Sequence, residues 1–212
     1  MVINFLGDSI TQGAGASSVE KNYVSLVGAM LGCAVRNYGV GGTRIARQTT
    51  PSVEAIYDQD FLLRSEVMED ADFVFVFGGT NDFGHGAAEF GDLESKDIYT
   101  FCGAVNTLLG NLVSRYGKDK LCVILPLHRV DEDNAYGDGS KTKAGKILAE
   151  YVFALKTLAE KFDLDIMDFD KEFPYSQIAP GQGLTADGLH PNSHGHKIIA
   201  EKICEYLRIK LK

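Results

Sequence analysis

A chain of 212 residues with 45 % apolar side chains has enough material for one α/β domain with a full core, and its composition excludes a disordered chain. A formal charge of -8 at pH 7, with no basic stripe, excludes nucleic acid as a partner. No apolar run reaches the length of a membrane span, and no basic segment followed by an apolar stretch and a cleavage site opens the chain. The expectation is therefore a cytoplasmic protein, or a secreted one whose signal was removed.

In chain order, Val2 to Leu6 is a short apolar run that predicts a buried strand. It stops at Gly7-Asp8-Ser9, where a glycine lets the backbone turn and a rigid strand end can lift a hydroxyl clear of the sheet. Lys21 to Gly32 carries Tyr23, Leu26, Val27, Met30 and Leu31 at helical spacing and ends on glycine. Ala34 to Tyr38 predicts a second strand, running into the glycine-rich turn Gly39-Val40-Gly41-Gly42-Thr43. A less periodic helical region is expected between about Ser52 and Met68.

Asp72 to Phe77 is apolar on both faces, as a central parallel strand should be, and ends at Gly78-Gly79-Thr80-Asn81-Asp82. Phe83 to Lys96 reads as a polar loop and Ile98 to Tyr116 as an amphipathic helix. Leu121 to Leu125 predicts the next strand, stopped by Pro126, and Leu127 to Ser140 a loop rich in Asp and Gly. Lys143 to Phe162 predicts the longest helix, with a stripe through Ile147, Leu148, Tyr151, Leu155, Leu158 and Phe162. Leu164 to Met167 predicts a fifth strand, and a long loop from Asp168 to Ser193 precedes a last helix, His194 to about Lys210. Asn192 or Ser193 is expected to cap it.

Strand and helix alternate without repeat or linker, which specifies a single α/β domain over residues 1–212, mostly parallel, with helices on both faces. The loops holding Ser9, Gly42 and Asn81 all follow strands, so all three belong to the carboxyl edge of the sheet, where sites collect in such folds. Cys33, Cys102, Cys122 and Cys204 sit singly in apolar stretches and read as small core residues in a reducing compartment.

Before the last helix stands Thr185-Ala186-Asp187-Gly188-Leu189-His190-Pro191. Pro191 biases His190 toward an extended conformation, and Gly188 allows a tight turn that brings the Asp187 carboxylate to the imidazole. A carboxylate on one ring nitrogen fixes the tautomer and frees the other to take a proton from a serine.

Gly7-Asp8-Ser9-Ile10, the Gly42 turn, Gly79-Thr80-Asn81-Asp82 and Asp187-Gly188-Leu189-His190 together resemble, in order, the four blocks of the SGNH (GDSL-type) hydrolase family. Ile10 replaces the leucine of the family name, and Gly41 adds a glycine beside Gly42. The resemblance implies a three-layer α/β/α sandwich, flavodoxin-like, around a five-stranded parallel sheet. It implies Ser9 as nucleophile, His190 as base and Asp187 as its orienting carboxylate. The oxyanion donors it implies are the backbone N–H groups of Ser9 and Gly42 and the side chain of Asn81. Asp82 is expected to tie its loop together.

Other readings are set aside. Thr11 stands where the second glycine of a nucleophile elbow would be, and the Gly39 turn lacks the spacing of a phosphate loop. Pro191 breaks the register between His190 and His194, and His194 and His196 fall on different helix faces, so no metal or other cofactor is expected and both are read as solvated. His85 stands between substrate contact and loop hydrogen-bonding, His128 is a further candidate on the functional edge, and Arg44 and Arg47 are candidates for an anionic or sugar-bearing substrate.

The expectation is a metal-independent serine esterase acting on a small-molecule or carbohydrate ester through an acyl-enzyme. The loops expected to wall its pocket, Phe83 to Lys96 and Leu127 to Ser140, are polar and favour a short acyl group such as acetyl. A lysophospholipase or thioesterase of the same family, or a catalytically silent binding domain, are the alternatives. The sequence assigns no oligomeric state and no role to segments 43–59 and 170–183.

Overall fold

The computed structural model describes residues 1–181 and 183–211. Five parallel strands form one sheet in the order β2-β1-β3-β4-β5, with β1 Val2–Gly7, β2 Ala34–Gly39, β3 Phe73–Phe77, β4 Leu121–Ile124 and β5 Asp165–Met167. The register pairs Gly7 with both Gly39 and Phe77, so three strands end at one level. The chain reverses its direction of travel across the sheet after β2, leaving a crevice beyond the carboxyl ends of β1 and β3.

Among the described residues seven helices cover it: α1 Ser9–Gln12, α2 Tyr23–Leu31, α3 Phe61–Glu66, α4 Thr80–Gly84, α5 Phe101–Tyr116, α6 Leu148–Lys161 and α7 Ser193–Lys210. Strand alternation divides the core in two. Phe73, Phe75 and Phe77 point with Ile3 and Phe5 toward α2 and α7, while Val74 and Val76 point with Leu6 toward α3, α5 and α6. That is the three-layer α/β/α arrangement. Phe5 stacks on Phe75 across the β1–β3 pair at 5.2 Å, which fixes the register of the two central strands. Cys102, Cys122 and Cys204 are buried, Cys33 is half-buried, and all four are free thiols.

Element ends differ from the sequence expectation where backbone groups find partners outside a helix. Residues 143–147 are not helical: Gly145 N–H donates to Ala135 O and Leu148 N–H to Glu132 O, so this stretch is held against the preceding loop and α6 begins at Leu148. The helical region expected over 52–68 reduces to a turn at Ala55–Asp58 and α3, which starts where the Asp60 carboxylate accepts the Leu63 N–H. Asn22 caps α2 and Thr100 caps α5, which move both starts later. Met30, expected on the apolar face of α2, is exposed.

The stretch read as a polar loop from Phe83 begins inside α4, buries Phe83 and half-buries Phe90 against the core. Phe83 and Phe90 both make edge-on contacts with Tyr151, at 6.0 and 5.1 Å. Among the described residues, no helix is long and apolar enough to cross a membrane.

Candidate active site

Ser9 opens α1 directly beyond β1. Asp8 caps that helix, its buried carboxylate accepting the Ile10 N–H at 3.0 Å. As the first helical residue, Ser9 has a backbone N–H with no intrahelical partner. Gly7 has to be glycine: a Cβ there would stand 1.8 Å from Thr11 Oγ1. Thr11 anchors α1 from below through a 2.8 Å bond to Tyr23 OH.

Tyr23 N–H in turn donates to Nδ1 of His196, whose Nε2 lies 3.0 Å from Ala14 O. These partners require the neutral imidazole with its proton on Nε2. Burial lowers its pKa, in keeping with that state. His196 is thus fully buried, contrary to the solvated reading of the sequence, and it ties α7 to the Ser9 loop. His194 is exposed, as expected, and Asn192 is the cap of α7.

The loop before α7 closes on itself. Gly188 adopts φ 91°, and the Asp187 carboxylate accepts the backbone N–H groups of Leu189 and His190 at 3.0 and 2.8 Å. Its other oxygen lies 2.7 Å from His190 Nδ1. Burial pushes the Asp187 pKa up, but the His190 and Leu189 hydrogen bonds outweigh it and hold the carboxyl below its ordinary value. An ionised Asp187 makes Nδ1 the donor and leaves Nε2 to accept from Ser9 Oγ, 3.0 Å away. The structure therefore brings Ser9, His190 and Asp187 into one hydrogen-bonded line.

Two further groups face the same place. Gly41 N–H is taken by Gln12 Oε1 at 2.8 Å, whereas Gly42, at φ 73°, has an N–H with no acceptor among the described residues. This resolves which of the adjacent glycines has a free donor. Asn81 opens toward the cavity from α4, with Nδ2 donating one hydrogen to Thr43 O at 3.0 Å and its other hydrogen free. Asp82 points away and accepts the N–H groups of Ile45 and Ala46, each at 2.9 Å, so it ties its loop to the neighbouring one. Complete burial raises the Asp8 and Asp82 carboxyls to about 6 each, with Arg64 and Arg44 respectively drawing them back.

Ser9, Gly42, Asn81 and His190 line a cavity of about 900 Å³. His85 lines it too and lies 3.2 Å from Gly42 O and 3.4 Å from Asp138. Arg44 is buried at its edge, donating to Ser52 Oγ and Tyr57 O. His128 is elsewhere: it stands at a separate cavity of about 200 Å³, between Glu132 at 2.7 Å and Asp170 at 2.8 Å. Burial lowers its pKa, but these two carboxylates prevail and raise it. Arg47 pairs with Asp60 at 2.7 Å and does not line the main cavity.

The two loops expected to wall it contribute His85, Arg129 and Asp138, and the unassigned segment 43–59 adds a further share through Ser52, Val53, Glu54, Ile56 and Tyr57. The Tyr57 ring packs so close to Gly42 that a Cβ there would stand 2.8 Å from its Cδ1. Sequence reasoning also missed Arg129, whose buried guanidinium reaches Thr80 and Asp131 from the loop after β4. Its signal was available only as a charged residue five positions after a strand end. Among the described residues no group of three or more His, Cys, Asp or Glu side chains is arranged to hold a metal ion.

The chain is similar over 97 % of its length to 95 % of a crystal structure of a protein from Lactobacillus plantarum, at 27 % identity and a TM-score of 0.80. It is similar over 98 % of its length to all of an acetyl xylan esterase, AlAXEase, at 22 % identity and a TM-score of 0.67. A lipase/acylhydrolase from Enterococcus faecalis matches 97 % of the chain with 94 % of its own, at 21 % identity and a TM-score of 0.62. These last two speak to the fold alone. No curated protein matches the sequence. The model of the GDSL-like Lipase/Acylhydrolase family matches residues 5–198, and the fold and the order of the motifs agree with it. The chain belongs to the GDSL-like lipase/acylhydrolase family, whose members are generally ester-hydrolysing serine hydrolases.

Proposed function

We propose that this protein is a serine esterase that cleaves a short-chain carboxylic ester of a polar alcohol through an acyl-enzyme. The observation that carries the reading is the hydrogen-bonded line Ser9–His190–Asp187 beside the unengaged Gly42 N–H. In this mechanism Ser9 Oγ attacks the ester carbonyl and its proton passes to His190 Nε2. Asp187 stabilises the imidazolium. The oxyanion of the tetrahedral intermediate meets three donors, the N–H groups of Ser9 and Gly42 and Asn81 Nδ2, each able to supply roughly 2.7–4 kcal/mol. Collapse breaks the bond to the alcohol, which leaves with the proton from His190. Water then repeats the sequence on the acyl-enzyme and releases the acid.

A short acyl group fits the cavity walls. Gln12, Arg44, His85, Arg129 and Asp138 offer polar atoms suited to hydroxyl groups. Among the apolar members of the wall, Val53, Ile56 and Tyr57 are exposed, and with Val40 and Leu189 they offer contact for a small acyl group.

The test is hydrolysis of nitrophenyl esters of increasing acyl length by wild type and Ser9→Ala. We expect the substitution to lower kcat by roughly 10⁴–10⁶. An unchanged rate would move the chemistry away from Ser9. The best substrate should be acetate or butyrate, and a maximum at eight carbons or longer would replace this reading with a lipase-type one.

A further inference from the structure

We infer that Thr43 and the buried Arg64 form a positioning unit that sets both non-nucleophile oxyanion donors, Gly42 and Asn81, against Ser9. The inference deepens the proposed esterase reading and rests on it. Arg64 comes from α3, outside every motif, and is almost wholly buried. Its guanidinium sits where β1 and β2 end. Nη1 donates to Gly7 O at 2.7 Å and to Tyr38 O, and Nη2 donates to Thr43 Oγ1 at 2.7 Å. Nε donates to Gln59 O at 2.9 Å, which adds the end of the 43–59 segment. One planar group therefore joins the strand that delivers Ser9, the strand that delivers Gly42, and the loop between them.

Such a residue is expensive to bury. Desolvation lowers its pKa to about 10, opposed by the nearby Asp8 and Asp60 carboxylates. The ring of Phe61 lies 4.5 Å below the guanidinium carbon. Four acceptors are aligned on it, so each strand end is held at a fixed distance from the others.

Thr43 is where this hold reaches the donors. It directly follows Gly42 and is buried. Its hydroxyl accepts from Arg64 and donates to Val40 O at 2.7 Å, closing the turn that contains Gly41 and Gly42. Its carbonyl accepts one hydrogen of Asn81 Nδ2 at 3.0 Å, which fixes the amide plane and aims the other hydrogen. A valine at this position keeps the shape and the carbonyl but neither accepts from Arg64 nor donates to Val40. A serine keeps the hydroxyl. Both residues act through Gly42 and Asn81 and touch no substrate.

The experiment compares Thr43→Val, Thr43→Ser and Arg64→Lys with wild type on nitrophenyl acetate, with thermal unfolding to select conditions where each is folded. Misplacement of donors that act chiefly in the transition state lowers kcat with KM nearly constant, and we expect about a tenfold loss or more in Thr43→Val. Affinity for a boronic acid that adds to Ser9 should fall by the same factor. Thr43→Ser should restore most of both. Arg64→Lys should resemble Thr43→Val, since an ammonium cannot span the same acceptors. Protection of the residue-43 amide from hydrogen exchange, whose N–H donates to Val40 O at 3.4 Å, provides a readout independent of turnover, lower in Thr43→Val and close to wild type in Thr43→Ser. Equal kcat in Thr43→Val and wild type, equal impairment in the valine and serine variants, or unchanged protection of the residue-43 amide in Thr43→Val overturns the inference. Absence of ester hydrolysis by wild type instead overturns the esterase reading, and the exchange measurement then still decides for or against the Thr43 clamp.

Discussion

Asp187 does two things with one carboxylate. One oxygen accepts two backbone N–H groups and so shapes the turn, and the other orients His190. The Asn variant keeps an oxygen for the backbone bonds but presents an amide to Nδ1, which favours the wrong imidazole tautomer. We expect Asp187→Asn to retain its thermal midpoint while kcat falls by about 10⁴; steady-state kinetics with parallel melting curves check this, and wild-type turnover would remove Asp187 from the mechanism. Because its pKa is depressed, the ionised carboxylate contributes its stabilisation fully above the ordinary aspartate value. That contribution fades only as pH falls through the depressed one. Acid inactivation near pH 5 is therefore not expected to come from protonation of Asp187.

At the scale of elements, the site is a meeting of the first and last loops. Gly15, at φ 86°, lies so close to the loop after His190 that a Cβ would stand 2.2 Å from Pro191 O. We expect Gly15→Ala to cost more than about 1 kcal/mol in urea unfolding and to lower kcat by pushing His190 off Ser9. A variant as stable and active as wild type would show that the two loops are not coupled there. A second junction joins α4 to the loop after β2, where Asp82 accepts the Ile45 and Ala46 N–H groups in the core. Asp82→Asn leaves one of these donors facing an amide nitrogen, and unfolding free energy should fall by about 1–3 kcal/mol.

Across the whole molecule, buried carboxylates at the sheet edge make stability depend on pH in an unusual direction. Burial raises the Asp8 and Asp82 carboxyls to about 6 in the folded protein, against 3.8 for an ordinary aspartate. Between those values the folded state holds protons that the unfolded state has released, so each contribution is complete below the lower value and is lost as pH rises to about 6. The size is about 3 kcal/mol per group, at 1.36 kcal/mol per pKa unit. Urea unfolding of wild type and Asp82→Asn between pH 4 and 7 isolates one of them. The wild type should lose stability relative to the variant across that window, and a constant difference would show that Asp82 is already ionised at pH 4.

The sequence by itself determined the strands, the edge of the sheet on which the motifs lie, and the local turns at Gly7–Ser9 and Asp187–His190. These depend on neighbours within a few residues: a period of two or 3.6, a glycine where the backbone must turn, a proline that ends a run. Helix starts were less legible, since α6 begins late where Gly145 and Leu148 bond to a loop ten and sixteen residues earlier. Only the tertiary structure decided which glycine has the free N–H, which segment walls the cavity, that His128 faces Glu132 and Asp170, and that His196 is buried. It also revealed Arg64. Each of these depends on partners brought together from distant parts of the chain by the strand order, and a buried guanidinium or a cavity wall leaves no periodic trace among the letters that encode it.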